Sequence, residues 1–312
     1  MVEEYIRQQH EWLGRLYPAQ GNNFDSPPPQ PTPDPQSPQW HTIQTFQDLL
    51  ESKCQAQEAA KRLTNVTSST TDFQIETLCN NMWGCIFSAV EHFSSIETLS
   101  ALSNLLACLA SLPQAINTHQ EPMFIEGLGT FIQPGEPILL RERLWADLPF
   151  FSLNLAERMQ GPGAYLSKNE HASEASRKWA NMNTFVAILV RDHGTAFPTL
   201  FGSCVTYAFM TLSSALEHPP NSRLDRNTIV HLSAACRWIL VARDVVREAV
   251  DTGYKGEPWT AMAGKLWQDQ DGTDQVVGRR WTFWKSKFEI LGGDLQGDAE
   301  MADIALRVSR LM

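Results

Sequence analysis

Positive charge is scarce in this chain. Its 312 residues hold 25 Lys and Arg against 35 Asp and Glu, a net charge of −10. The cations are scattered along most of the length, so the general basic face that a nucleic-acid binder needs is missing. No CxxC occurs, and the six cysteines follow no disulfide-framework spacing. A core of this size needs no such staples, and Cys79, Cys85, Cys108, Cys204 and Cys236 read as small buried hydrophobes among apolar helical neighbours. There is no GxxxxGK[ST] to cradle phosphates, no GxGxxG between a strand and a helix, no GxSxG and no HExxH. The eight histidines never pair at helical ligand spacing. No metal and no cofactor are therefore expected.

Long apolar stretches are also few. The opening MVEEYIRQQHEWLGRLYP carries acids at positions 3 and 4 and no apolar run, unlike a secretory signal. The expected compartment is the cytoplasm, with the nucleus second. One run tests this reading: Gly194 to Leu216 has no charged residue over 23 positions, a length that could span a bilayer. Pro198, two glycines and its Ser and Thr residues dilute it, and basic and aromatic anchors are missing at its ends. It is expected to be one central helix packed on all sides, with Pro198 in its first turn, and no membrane partner is expected.

Proline, by contrast, is concentrated. Eight of the eighteen prolines fall in residues 18–38, which defines a disordered proline-rich linker over 18–40. PPPQPTPDP within it resembles a ligand for proline-binding grooves, although no arginine flanks it and a spacer is the favoured reading. A short amphipathic helix over 1–17, with Tyr5, Ile6, Trp12, Leu13 and Leu16, precedes it and is expected to dock on the body or on a partner and to be dispensable for folding. Residues 41–312 are expected to form a single all-α domain of helical hairpins packed in two layers.

Helical period carries most of that body. Ile75, Leu78, Met82, Cys85, Ala89 and Phe93 mark one helix. A capping box at Ser94–Glu97 opens the next, with Leu99, Leu102, Leu106 and Leu109 on one stripe, and the short break predicts a hairpin of the two. Residues 117–137 read as irregular, and helical pattern resumes at 138–145 and 150–159. A second capping box, Ser167–Glu170, leads into a helix with Trp179, Met182, Val186 and Leu189. Asp225 and Asp298 are candidate caps for two later helices. No strand alternation is convincing.

The densest segment is RRWTFWKSKF, residues 279–288. Trp281, Trp284, Phe288 and Leu291 recur at helical spacing as a core stripe, around which Arg279, Arg280, Lys285 and Lys287 are expected to snorkel outward. Arg280 is the exception to watch, because a guanidinium there could stack on Trp284 or pair with a buried acid. Asn181 and Asn183 beside Trp179 are poor mid-helix residues and point to hydrogen bonds with a neighbouring helix or with a ligand. Arg191–Asp192–His193 puts an acid beside a histidine at a helix end, but adjacent helical residues diverge. His231, Arg237, Arg243 and Asp244 read as a charged helix face. The candidate ligand-binding residues are accordingly Trp179, Asn181, Asn183, Arg280 and Trp284; catalytic residues are not identifiable.

Trp179, Asn183, Phe185, Ala187 and Leu189, then Ala235, Trp238 and Ile239, then Leu266 and Trp267, and finally Arg280, Trp281, Phe283, Trp284, Lys285 and Phe288 follow a W…NxFxAxL…AxxWI…LW…RWxFWKxxF order. In this the chain resembles the fungal family called domain of unknown function 3632, over about residues 42–312, with a weaker likeness at FQDLLESKCQAQEAAKRL. The resemblance implies an intracellular helical protein and no particular activity. Two functions compete: a binding or interaction module with a protein or small-molecule partner, and a cofactor-independent enzyme of the isomerase or cyclase type in secondary metabolism, working in an aromatic-lined pocket.

Overall fold

The computed structural model describes all residues except 18–32, 69–73, 126–127, 141, 167–171, 220–221, 223–227, 255–260 and 296. Most of the proline-rich segment, the Ser167–Glu170 box and the Asp225 cap lie outside the described residues. Among the described residues the fold is all-α apart from two small hairpins, and the chain divides into two compact units, Met1–Ala156 and Glu157–Met312.

In the first unit, α1 (Val2–Leu16) docks on the body. Its apolar face meets α4 (Gln74–His92). Tyr5 and Leu13 are fully buried, the Tyr5 hydroxyl donates to the Cys85 carbonyl at 2.6 Å, and Gln9 donates to Ser88 Oγ at 3.0 Å. Tyr5 also touches the rings of His92 and Phe93, and the Trp12 ring lies so close to Gly84 that a Cβ there would stand 2.6 Å from it. Such burial speaks against the expectation that α1 is dispensable: losing it would uncover the face of α4 that Tyr5, Gln9 and Trp12 touch. The expected linker also runs too far, since α2 (Pro38–Leu50) starts within it, capped by Ser37 with Pro38 as its first residue.

The following helices are α3 (Ala56–Ser68) and α5 (Ile96–Ala110). Ser95, not Ser94, caps α5, accepting from the Thr98 N–H at 3.1 Å. The cap shifts because the helix starts one residue later than the box predicts. Leu99, Leu102, Leu106 and Leu109 are all buried, but α5 lies chiefly along α3 rather than in a close hairpin with α4.

The stretch read as irregular contains strands. β1 (Met123–Ile125) pairs antiparallel with β2 (Thr130–Ile132), and β3 (Leu139–Leu140) with β4 (Glu142–Arg143). Met123, Ile125 and Ile132 are buried, and β1 alternates buried and half-buried positions, a period-2 pattern too short to stand out in sequence. The helix expected over 138–145 is therefore absent. Trp145, Leu148 and Phe150 stand at φ values of 71°, 47° and 65°, a region no right-handed helix uses. The next helix is α6 (Phe151–Arg158).

The second unit holds α7 (Gly163–Leu166), α8 (Ala172–His193), α9 (Thr206–Leu216), α10 (Thr228–Asp251), α11 (Lys265–Gln268), α12 (Gly278–Asp294) and α13 (Ala299–Leu311). α8 and α10 pack along each other, α9 lies against α10, and α13 covers α12. Asp298 caps α13 through the Met301 N–H at 3.0 Å. α10 is kinked at Ala242, whose φ and ψ of −128° and 27° are not helical.

The uncharged run is not one helix. It turns back after α8, passes through a 3-10 turn at Gly202–Val205, and only then enters α9, so Pro198 does not open a helix. The two glycines permit the close backbone approach there. A Cβ on Gly202 would stand 2.8 Å from the Gly194 carbonyl oxygen, and one on Gly194 2.4 Å from that of Val190. Among the described residues no helix is long and apolar enough to cross a membrane.

Candidate functional site

α12 is buried along one face by Arg280, Trp281, Trp284 and Phe288. Three of these four are the aromatics that the helical period assigns to a core. Arg280 is the correction: it does not snorkel, but is 0 % exposed. Opposite it stands Glu217, likewise 0 % exposed, at the C-terminal end of α9.

The pair is bidentate. Arg280 Nε donates to Glu217 Oε1 at 2.7 Å and Nη2 to Oε2 at 2.9 Å. The remaining guanidinium hydrogens go to the carbonyls of Met262 at 3.1 Å, Ala261 at 2.7 Å and Asp274 at 3.2 Å. All five donors of the planar fork are thereby used. Glu217 is equally occupied: the Trp284 indole N–H donates to Oε1 at 2.6 Å and the Gly264 N–H to Oε2 at 2.7 Å. The Ser213 hydroxyl lies 3.0 Å from Oε2 and 2.8 Å from the Met262 carbonyl, with one proton for both. The guanidinium carbon is also 5.3 Å from the centre of the Trp284 ring. Both roles foreseen for Arg280, stacking on Trp284 and pairing with a buried acid, are realised at once.

Isolated, either charge would be costly to bury; paired and saturated with hydrogen bonds, they can be accommodated. Their common product is the placement of residues 261–266, whose carbonyls and amides bind both partners. Gly264 is required there by close approach, because a Cβ would lie 2.5 Å from the Glu217 Cβ and from its carbonyl oxygen.

Asn183 centres a second, neutral network. Its Oδ1 accepts from Thr211 Oγ1 at 2.8 Å and from the Trp238 indole at 2.7 Å, and its amide donates to the Trp179 carbonyl at 2.9 Å. The residue thus ties α8 to α9 and α10, one of the two roles the sequence leaves open for it. Asn181 is buried on the same helix. Trp179 is 3 % exposed, packs beside Tyr165, and its indole N–H has no hydrogen-bond partner among the described residues. Arg280 and Trp284 therefore meet in one cluster and Asn183 in another. The two clusters share α9, which carries both Thr211 and Glu217.

Sequence reasoning missed Glu217, Ser213, Gly264, Thr211 and Trp238 as partners. One signal for Glu217 was present: it is the first charged residue after the uncharged run. His231 also departs from expectation, since it is buried rather than part of a charged face, with Nδ1 unpartnered among the described residues. Burial depresses its pKa to about 4. Arg243 and Asp244 do form the exposed pair expected of them. At the end of α8, Asp192 pairs with Arg191, and burial lowers the His193 pKa. The buried thiols are not poised as nucleophiles, for burial pushes Cys79, Cys85, Cys204 and Cys236 up to about 12. Among the described residues no three His, Cys, Asp or Glu side chains are grouped to hold a metal.

Clefts of two sizes are lined by described residues of the second unit. The smaller, about 200 Å³, lies at the α10 kink between Arg191 and Arg243, both already paired with neighbouring acids. The larger, about 400 Å³, is lined by Trp267, Gln270 and one stripe of α12: Arg279, Thr282, Phe283, Ser286, Lys287 and Ile290. That size suits a ligand cleft. The Arg279 guanidinium lies 5.2 Å from the Trp267 ring centre and the Lys287 ammonium 5.3 Å from that of Phe283. Neither cation has a carboxylate partner among the described residues.

A helical unit held by a buried Arg–Glu pair, with an aromatic and cationic groove on the outer side of the same helix, is the class that fold and site define. The family of proteins of unknown function DUF3632 matches residues 83–288, and the chain belongs to it. The match includes Trp179, Asn183, Trp238, Glu217, Arg280 and Trp284, and it leaves out the segment at 46–63 where a weaker likeness was seen. No curated protein and no solved structure matches the chain.

Proposed function

We propose that this protein is an interaction module and that its binding surface is the groove along the outer side of α12. The groove carries this reading: it is lined by Phe283 and Ile290 as well as two cations without carboxylate partners among the described residues, and 49 % of Ile290 is exposed. The polar groups of Arg280, Trp284 and Asn183 are spent on protein partners, which supports a scaffolding role for them over ligand contact. The test is site-specific photo-crosslinking in the cells that make the protein. A benzoylphenylalanine in place of Ser286 should give a defined adduct that is absent when the same group replaces exposed Glu300 on α13. Equal adducts at both positions, or none at either, would overturn the reading.

One observation favours the alternative, a cofactor-independent enzyme. The buried indole N–H of Trp179 has no partner among the described residues, and a donor left so is costly unless something uses it. Denaturing extraction with mass spectrometry tests this. A small molecule recovered in stoichiometric amount, and lost in Trp179→Phe, would move the function to that site; an empty extract removes the alternative's support.

A further inference from the structure

We infer that the groove takes an acidic amphipathic helix, with two carboxylates about two turns apart and an apolar side chain between them. This rests on the interaction-module reading and specifies its partner.

The groove residues of α12 are Arg279, Thr282, Phe283, Ser286, Lys287 and Ile290, spaced at 3, 4, 7, 8 and 11 from the first. They form one straight stripe, turned away from Arg280, Trp281, Trp284 and Phe288, with Phe283, only 7 % exposed, as its buried floor. A stripe of this kind is the surface against which a second helix packs, ridge into groove. Its two cations are eight residues apart, which at 1.5 Å per residue is about 12 Å. Carboxylates at i and i+7 or i+8 of a partner helix are separated by about the same length and lie on one face. Between the cations lie Phe283 and the short hydroxyl side chains of Thr282 and Ser286, which leave room for an apolar residue of the partner. Ile290 extends the apolar surface at one end.

The cations are also set in advance. Arg279 rests over Trp267 and donates to the Gln270 carbonyl, and Lys287 rests over Phe283. Side chains held this way lose less rotamer freedom when a partner arrives than free ones would. Neither cation forms a salt bridge among the described residues; Asp269 is paired with Lys265, and Asp274 accepts the Ala263 N–H at 2.7 Å. On a chain of net charge −10, this stripe is the local exception, and charge complementarity selects an acidic partner over a basic or neutral one.

The experiment uses the full chain and three fluorescent synthetic helices of about 16 residues, built on one alanine-rich frame. The first carries Glu at positions 4 and 12 with Leu at 8, the second Gln in place of both Glu, and the third Lys in place of both. Polarisation titrations are run with the parent chain, with Arg279→Glu/Lys287→Glu, and with Ser286→Trp, which fills the groove. Thermal melts confirm that each variant is folded, and all three positions are partly or largely exposed. The expected result is binding of the Glu helix at least ten-fold tighter than the Gln helix. The charge-reversed chain should reverse the order in favour of the Lys helix, and Ser286→Trp should abolish binding. Equal binding of Glu and Gln helices, abolished by Ser286→Trp, overturns the acidic-partner inference and leaves the groove reading standing. Binding that survives Ser286→Trp unchanged overturns both. No binding of any helix overturns the inference, while the groove reading is then decided by the crosslinking above.

Discussion

Arg279 and Arg280 are consecutive residues of one helix. The first lays its guanidinium against Trp267 at the rim of an open groove, and the second places five N–H groups on protein acceptors with none of its surface exposed. Composition cannot separate them. The 100° turn between successive helical positions does, because one falls on the stripe facing α9 and α13 and the other on the stripe facing outward. The lesson extends to the aromatics. Trp284 donates its indole N–H to Glu217 inside, whereas Phe283 floors the groove beneath Lys287. One ten-residue segment thus supplies a keystone and a candidate surface, and the question of core or surface has a different answer on each side.

The largest effect is expected from removing one charge of the buried pair. Arg280→Met or Glu217→Leu alone should destabilise by about 3–5 kcal/mol, since each leaves the other charge buried without its partner. The double variant should cost clearly less than the sum. Urea denaturation of the three variants checks this, and additive losses would show that the pair does not act as a unit. Trp284→Ala should cost about 3–5 kcal/mol as well, through lost packing of a fully buried ring; an unperturbed melt would return Trp284 to the surface.

The same comparison can be applied to the N-terminal helix, which the sequence presents as an appendage. Cutting at an engineered protease site within residues 18–32 should leave α1 bound in native mass spectrometry, because Tyr5 and Leu13 are fully buried, each contributing about 1.5–3 kcal/mol. Release of the fragment at once would restore it to an appendage.

A smaller effect is expected from pH. His231 titrates near 4 in the folded protein, below the ordinary value of 6.5. The unfolded chain therefore binds this proton more readily, so stability is full above pH 6.5 and falls as the pH drops toward 4. The contribution is about 1.4 kcal/mol per pH unit across that window. Melting temperatures at pH 7 and pH 5 should differ, and His231→Phe should flatten the difference. A slope unchanged in the variant would assign it to other groups, such as His218, whose pKa burial also lowers.

The least effect belongs to the outer stripe. Arg279→Ala and Lys287→Ala should each cost well under about 1 kcal/mol, as exposed charges do, while weakening any groove-dependent binding. A large loss of stability from Arg279→Ala would merge the two faces and end the distinction drawn between the two arginines.

Much of this molecule was legible before folding. The strict 3–4 spacing of Leu99, Leu102, Leu106 and Leu109, and of Trp281, Trp284 and Phe288, determined helices and their buried faces, because apolar area must leave water on one side of a 3.6-residue turn. Asp298 capped its helix as its side chain dictates. The hairpins at 123–143 were hidden by strands too short to show a period, and the reversal at Gly194 and Gly202 by a contact between backbones eight residues apart.

Sequence alone fixes what is local: helical period, the Asp298 cap, and the presence of an arginine ahead of two tryptophans. Long-range packing is what turns Arg280 inward to Glu217, joins Asn183 to Thr211 and Trp238, and brings Arg279 and Lys287 to one groove with Trp267. Hydrogen bonds and charges draw their strength from partners 28 to 63 residues away, and no periodicity along one segment encodes which distant segment will arrive to meet it.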